Sequence, residues 1–172
     1  DSVTLKHLYL DLTVDFEHKK LSGKAVLNID NHSGTQYLIL DTKQLHIDKV
    51  LLEDKVEAAF SLGKEQKHLG EALVIAIEKN TKQVAVYYHT SPDAEALMWL
   101  SAEQTAGKKY PFLFTQSQAI LARTWVPCMD APAVRFTYSA DIKCDTAFLP
   151  LMSAQNNLQY QIFLNGQQTL NF

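Results

Sequence analysis

The sequence predicts an all-β fold of antiparallel and mixed sheets packed like a sandwich and joined by short helical turns. Two observations carry this prediction. Short apolar runs recur at even spacing along most of the 172 residues, which is typical of sheet assemblies rather than of alternating strands and helices. No stretch shows the 3.6-residue apolar period of a long amphipathic helix. One domain, residues 1–172, accounts for a chain of this length.

The first predicted strand has the clearest pattern. Every second residue is large and apolar: Leu8, Leu10, Leu12, Val14 and Phe16. Because successive side chains of a strand point to opposite faces, all five share one buried face. The same alternation returns over residues 25–29 after a turn, which predicts an antiparallel partner strand.

Shorter apolar runs predict the remaining strands. They are expected over residues 37–40, 45–52, 56–60, 73–77, 84–88, 112–114 and 136–142. The last two predicted strands, residues 158–164 and 167–172, flank Asn165-Gly166. This pair suits a two-residue type I′ turn, so we expect a hairpin there.

The middle of the chain, residues 91–109, is predicted to leave the sheets because the alternation of apolar residues stops there. Ser101 and Gln104 have the spacing of a capping box, in which two orphan backbone groups at the start of a helix are satisfied. We therefore expect a long excursion that contains short helical turns.

Composition excludes several classes of partner. Sixteen Lys and Arg against nineteen Asp and Glu give a net charge of −3, so no basic stripe is available to neutralise the phosphates of a nucleic acid. No apolar run approaches the roughly 20 residues that span a bilayer. We predict neither nucleic acid nor membrane as a partner. Two cysteines, Cys128 and Cys144, are too few for a disulfide scaffold and are expected to be buried free thiols.

The chain contains no recognisable catalytic set. The H-E-x-x-H, G-x-S-x-G and C-x-x-C motifs are all absent from the sequence. We therefore predict no catalytic residue and no metal ligand in these 172 residues. His46 and Asp48 have the i, i+2 spacing that puts two potential ligands on one strand face, but we interpret this pair as solvated.

Residues 110–132 are unlike a plain sheet, since they contain three prolines, a Trp, an Arg and two amides at i, i+2. On an extended chain, Gln116 and Gln118 would lie on the same side and offer carbonyl acceptors and NH₂ donors to one ligand group. Spacing alone favours an ordinary pair of surface glutamines. Arg123 and Asp130 are expected to form an ion pair that ties down a proline-bounded loop.

Residues 115–132 read T-Q-S-Q-A-I-L-A-R-T-W-V-P-C-M-D-A-P. This resembles the signature T-Q-x-[E/Q]-x-x-x-A-R-x-x-x-P-C-x-D-x-P in the N-terminal domain of the gluzincin-type zinc aminopeptidases. The preceding T-S-P, A-L-x-W-L, E-Q-T-x-G-K and P-F-L-F blocks resemble more narrowly the leukotriene A(4) hydrolase and aminopeptidase B-like branch. Two motif blocks in the right order make chance resemblance a poor explanation.

The resemblance implies a saddle-shaped, all-β, non-catalytic N-terminal domain that lies against the catalytic domain of a larger enzyme. The G-x-M-E-N and H-E-x-x-H motifs of that catalytic domain do not occur here. We therefore expect this piece to be inactive alone and to carry no cofactor, with zinc held elsewhere in the parent enzyme. The implied partners are the chain's own catalytic domain and a peptide with a free amino terminus.

The resemblance also implies a role for one residue. At the position of Gln118, most members of the family have a Glu that helps hold the α-amino group of the substrate, and this branch has Gln. Gln116 lies by similarity in the same cleft. The resemblance implies scaffolding roles for Arg123, Cys128 and Asp130.

A freestanding β-sandwich module that binds a glycan or a protein is an alternative that the strand pattern also allows, although it leaves residues 115–132 unexplained. The chain begins at Asp1 without an initiator Met and ends abruptly at Phe172, which we interpret as a piece trimmed from a longer protein. Families of this kind include cytoplasmic and exported members; we favour a cytoplasmic location and keep export open.

Overall fold

Strands make up almost all of the regular secondary structure of the domain. A computed structural model describes residues 3–156 and 161–172. Its strands are β1 (Val3–Asp15), β2 (Lys20–Asn31), β3 (Tyr37–Thr42), β4 (His46–Leu52), β5 (Val56–Glu57), β6 (Phe60–Leu62), β7 (Glu71–Ala76), β8 (Gln83–His89), β9 (Leu97–Leu100), β10 (Phe112–Thr115), β11 (Thr137–Asp145), β12 (Gln161–Leu164) and β13 (Gln167–Asn171). Short 3-10 helices span Ala102–Gln104 and Ala122–Thr124. In this part of the chain, no helix is long and apolar enough to cross a membrane. The all-β prediction is confirmed.

One mixed sheet of eight strands organises the domain, in the order β12-β13-β11-β1-β2-β8-β4-β5. β1 lies inside this sheet, antiparallel to β2 and parallel to β11. Parallel neighbours cannot be joined by a tight turn. The connection from β1 to β11 therefore contains the smaller sheets and the loop of residues 116–132, called the glutamine loop from here on.

The apolar stripe predicted for β1 faces the core. Leu8, Leu10 and Leu12 are at most 4% exposed, and Val14 and Phe16 at the end of the stripe are half-buried. The three-stranded sheet β3-β7-β6 contributes its inward side chains to the same buried cluster. Burying this apolar surface is the main source of the domain's stability.

The structure corrects the prediction for two segments. β9 forms within residues 91–109, where no strand was expected, and pairs with β10 in a two-stranded sheet. Four residues are too few for an alternation to show, and the pairing with β10 decides their conformation. The strand expected over residues 56–60 is divided, since β5 pairs with β4 and β6 pairs with β7.

Two predictions from local turn chemistry are confirmed. The backbone N–H of Ser101 donates to Oε1 of Gln104 at 2.9 Å, which is one half of the expected capping box. Asn165 and Gly166 have φ values of 51° and 77°, as a type I′ turn requires, and β12 pairs with β13 around them. The first predicted residues of that hairpin, 158–160, lie outside the described residues.

A buried arginine fixes the glutamine loop to the sheets. The guanidinium of Arg123, whose side chain is 5% exposed, donates from Nε to Oδ2 of Asp130 at 3.0 Å and from Nη2 to the Asp130 carbonyl at 2.9 Å. Its Nη1 donates to the Leu69 carbonyl at 2.9 Å and lies 3.3 Å from Oδ1 of Asp41. Asp41 belongs to β3 and Leu69 to the turn before β7, so one side chain joins three segments. The predicted Arg123–Asp130 ion pair is confirmed.

Backbone hydrogen bonds also attach the glutamine loop to β3 and to the residue that follows it. The Asp41 N–H donates to the Cys128 carbonyl at 2.7 Å, and the Cys128 N–H donates to the Asp41 carbonyl at 3.3 Å. The Lys43 N–H donates to the Arg123 carbonyl at 2.9 Å, and the Asp130 N–H donates to Oδ2 of Asp41 at 2.9 Å. The loop is therefore docked through its main chain as well as through the arginine.

We predict that Arg123→Met lowers the free energy of unfolding by about 3–5 kcal/mol, because it leaves the Asp130 carboxylate, whose side chain is only 12% exposed, without its cation. The control is Lys143→Met, which removes a partly exposed ion pair with Asp11 and should cost at most about 1 kcal/mol. Urea denaturation measures both variants. Equal losses in the two variants would contradict the anchoring role.

A second prediction concerns the turn that presents Leu69 to the arginine. Gly70 has a φ of +74°, and a Cβ there would lie 2.1 Å from the Thr42 carbonyl oxygen. Gly70→Ala should therefore lower the free energy of unfolding by about 2–4 kcal/mol. Gly107→Ala is the matched control, because a Cβ at Gly107 meets nothing within 4 Å. Thermal and urea unfolding that rank the two variants equally would refute this account.

Candidate functional site

The glutamine loop begins where β10 ends. The N–H of Gln116 donates to the Ala96 carbonyl at 2.9 Å, which extends the pairing of β9 and β10 by one bond. The chain then turns over residues 118–121, and the Leu121 N–H donates to the Ser117 carbonyl at 2.9 Å. The side chains of Gln116 and Gln118 lie on the surface, and both residues are exposed.

The two glutamines have different surroundings. The Oε1 of Gln116 accepts the backbone N–H of Gln118 at 3.0 Å, so its amide oxygen is already used within the loop. The chain is not extended through Gln118, because that residue starts the turn. The simple picture of two amides side by side on a strand therefore does not describe this loop. Gln116 holds the backbone of Gln118, and the side chains of both residues stay at the surface.

Contacts behind the turn hold it in place. The indole Nε1 of Trp125 donates to Oγ of Ser117 at 3.1 Å, and the Trp125 ring packs partly buried against the core. The Oγ1 of Thr124 accepts the N–H of Ala96 at 3.1 Å. The backbone on both sides of Gln118 is therefore fixed before any ligand arrives, which reduces the entropy lost on binding.

The loop offers hydrogen bonds rather than a reactive nucleophile. Burial raises the pKa of the Cys128 thiol, and the nearby Asp130 and Asp41 carboxylates raise it further. This cysteine therefore stays a neutral thiol at physiological pH and is unsuited to nucleophilic attack. Cys128 and Cys144 are both free and buried, as the sequence predicted.

An exposed amide such as that of Gln118 can accept hydrogen bonds from a ligand. Its carbonyl oxygen has two lone pairs and can accept hydrogen bonds from a cationic donor such as an ammonium group. Such a bond to a charged donor is shorter and stronger than one between neutral groups. The arrangement therefore suits the recognition of a ligand's amino group, and amides of this kind are poor ligands for zinc.

An exposed apolar face lies on the hairpin that leads into the loop. Phe112 and Phe114 alternate on β10, and Met98 is the register partner of Phe114 on β9. The three residues are 52%, 42% and 44% exposed, and the two phenylalanine rings have centroids 6.2 Å apart. Contiguous apolar surface of this kind is characteristic of interaction sites.

Sequence reasoning missed three residues that the fold brings next to residues the sequence had singled out. Asp41 and Leu69 contact Arg123, but they are distant in sequence and neither carries a local signal. His89 lies directly opposite His46 across the β4–β8 pair. Only knowledge that β4 pairs with β8, and in which register, could have found it.

Comparison with known proteins places the chain in a family. Residues 5–172 match the Peptidase M1 N-terminal domain. The chain is 37% identical over 160 residues to leukotriene A-4 hydrolase of Xenopus laevis and 36% identical over 152 residues to leucine aminopeptidase 2 of Yarrowia lipolytica. These alignments cover 90% and 84% of this chain, but 26% and 23% of the two relatives. The chain thus spans about a quarter of the length of the curated relatives it matches.

Solved structures agree with this assignment. The native yeast LTA4 hydrolase superimposes with a TM-score of 0.85 and 28% identity over 99% of this chain and 26% of its own. An M1 zinc metallopeptidase from Deinococcus radiodurans gives a TM-score of 0.78 over 99% of this chain and 38% of its own, at 18% identity, which shows likeness of fold alone. The resemblance seen in residues 90–132 is confirmed across the domain. The chain therefore belongs to the Peptidase M1 N-terminal domain family.

Proposed function

We propose that this chain is the N-terminal domain of a zinc aminopeptidase that removes N-terminal residues from peptides, and that it helps form the rim of the substrate cleft. The observation that carries the proposal is the match of residues 5–172 to the M1 N-terminal domain, in a chain that spans only a quarter of its leukotriene A-4 hydrolase relative. The activity would belong to the parent enzyme, and this domain alone would be inactive.

Within that role, Gln118 would bind the α-ammonium group of the substrate peptide. Its exposure and the hydrogen bond from its N–H to Gln116 support this assignment. A residue that holds the amino terminus sets which peptide bond reaches the reaction centre, so its contribution is positioning rather than chemistry. Gln116 would act indirectly, by orienting the backbone of Gln118.

The zinc of the parent would be bound outside these 172 residues. The sequence contains no H-E-x-x-H motif, and the exposed side chains of Gln116 and Gln118 are amides, whereas a zinc ion needs imidazole, thiolate or carboxylate ligands. When bound to the parent, zinc would supply the Lewis-acid chemistry that activates water for hydrolysis. No residue of this domain is assigned to that step.

The proposed contact with the catalytic domain has a physical basis in the apolar face formed by Met98, Phe112 and Phe114. Covering side chains that are about half exposed removes apolar surface from water, which favours association. The face lies on the hairpin that feeds directly into Gln116. A catalytic domain docked there would stand beside Gln118.

We predict that Gln118→Ala in the parent enzyme raises the KM for a dipeptide about tenfold or more. The reason is the loss of a hydrogen bond to a charged group, which contributes about 1.5–3 kcal/mol. Gln118→Glu should lower the KM below that of the unmodified enzyme, because a carboxylate attracts an ammonium more strongly than an amide does. Steady-state kinetics with one dipeptide measures both. Gln66→Ala, at an exposed position of another turn, is the matched control.

A pair of inhibitors isolates the interaction with the amino group. Gln118→Ala should weaken inhibition by a dipeptide analogue with a free amine and leave inhibition by its desamino counterpart unchanged. If KM, kcat and both inhibition constants stay the same, Gln118 is not in the site. If the parent reading frame contains neither G-x-M-E-N nor H-E-x-x-H, the aminopeptidase proposal fails and the freestanding binding module is favoured.

A further inference from the structure

Two imidazoles face each other on the outer surface of the eight-stranded sheet. His46 on β4 is the register partner of His89 on β8, and their ring centroids are 4.5 Å apart. Residues directly opposite on antiparallel strands have neighbouring Cβ atoms. The backbone hydrogen bonds between the two strands therefore keep the rings close to each other, and no contact between the rings is needed for this.

A β-bulge adds a carboxylate to the same place. The register of β4 and β8 shifts between Ile47 and Lys49, which leaves Asp48 as the extra residue. Ile47 and Val50 are buried, whereas Asp48 and Lys49 between them are both exposed. A bulge re-aims side chains in this way, and Asp48 consequently lies on the outer face with the two histidines.

The distances among these groups suit a shared cation. Oδ1 of Asp48 lies 3.5 Å from Nε2 of His46, and Oδ2 lies 3.7 Å from Nδ1 of His89. One ligand atom from each residue lies within 4.8 Å of the other two. Tetrahedral ligands at about 2.0–2.1 Å from a zinc ion are roughly 3.3–3.4 Å apart. The side chains of His46 and His89 are 67% and 37% exposed, so small rotations can close the remaining gap without disturbing the core.

We propose that His46, Asp48 and His89 bind one divalent transition-metal ion, with zinc as the ion of reference and water completing the coordination. Two nitrogen donors and one carboxylate are the ligand types of zinc, whereas calcium and magnesium prefer oxygen ligands alone. Copper and nickel ions should also bind, because imidazole sites follow the general affinity order of these metals. The proposal departs from the sequence-based expectation of no metal ligand in this chain, and it is independent of the proposed aminopeptidase function.

The two lysines near the site have their ammonium groups over a tyrosine ring. Lys49 follows Asp48 directly, and its ammonium lies over the ring of Tyr87, 4.4 Å from the centroid. Lys24 approaches the same ring at 5.8 Å. Both ammonium groups are therefore engaged by an aromatic face, and the Asp48 carboxylate faces the two imidazoles.

Ordinary histidine–carboxylate pairs elsewhere in the chain serve as comparisons. His18 lies 2.8 Å from Asp15, and His32 lies 3.7 Å from Asp30. Each of these is a pair, and among the described residues three potential ligands converge at His46, Asp48 and His89. A true metal site should depend on the third ligand, whereas non-specific binding to surface histidines should not.

The test is a calorimetric titration of the 172-residue chain with zinc chloride. The chain should bind one ion at this site, and His89→Ala should weaken that binding by at least about tenfold, since even outer-shell changes cost 10- to 100-fold. His46→Gln, which keeps a polar side chain at an exposed position, should weaken it similarly. His18→Ala is the control and should bind as the unmodified chain does.

Thermal unfolding provides a second measurement. An ion that joins β4 to β8 binds the folded state more tightly than the unfolded chain, so zinc should raise the Tm of the unmodified chain and of His18→Ala, but not that of His89→Ala. The proposal is overturned if the unmodified chain binds no zinc. It is also overturned if His89→Ala and His46→Gln bind as tightly as the unmodified chain, or if His18→Ala weakens binding as much as they do.

Discussion

The shape of the glutamine loop depends on one buried guanidinium. An arginine so far removed from water must find partners for its N–H groups, and Arg123 finds them on the loop itself, on β3 and on the turn before β7. The partners depend on one another as well, because Asp41 also accepts the backbone N–H of Asp130. The three-stranded sheet and the glutamine loop consequently keep one relative position. The glutamine loop follows directly after the pair of strands β9 and β10.

Positioning in this domain operates at two scales. The arginine cluster places the whole loop, and the side-chain amide oxygen of Gln116 then sets the conformation of one residue within it. A binding side chain supported in both ways can act at a cleft whose other wall belongs to a different domain. On the outer face of the large sheet, side chains are also positioned by the backbone. The pairing of β4 with β8 and the bulge in β4 bring His46, Asp48 and His89 together, with no contribution from the core.

The sequence predicted features whose causes are local or strongly periodic. The stripe on β1 was predictable because one face is buried from Leu8 to Leu12. The Asn165-Gly166 turn was predictable because few residue pairs tolerate two positive φ values. The strand β9 was not predictable from the sequence, since its four residues take their conformation from the pairing with β10. The Arg123–Asp130 pair was visible in spacing, but Asp41 and Leu69 were not, because tertiary structure alone brings them close. The interest of Gln118 came from family resemblance and not from its spacing to Gln116, whose amide the fold uses internally.

The parallel pairing of β1 with β11 has a consequence for how the chain acquires its fold. The two strands are far apart in the sequence, as their side-chain contacts show. His7 hydrogen-bonds to Thr137 and Ser139, which lie 130 and 132 residues later. During synthesis β1 emerges first and can pair with β2, but its other edge stays open until β11 has left the ribosome. Such long-range closure makes folding slow, and the unpaired backbone N–H and C=O groups of the open edge can pair with other chains meanwhile. A nascent chain that stops before residue 137 would therefore be a substrate for chaperones rather than a smaller version of the domain.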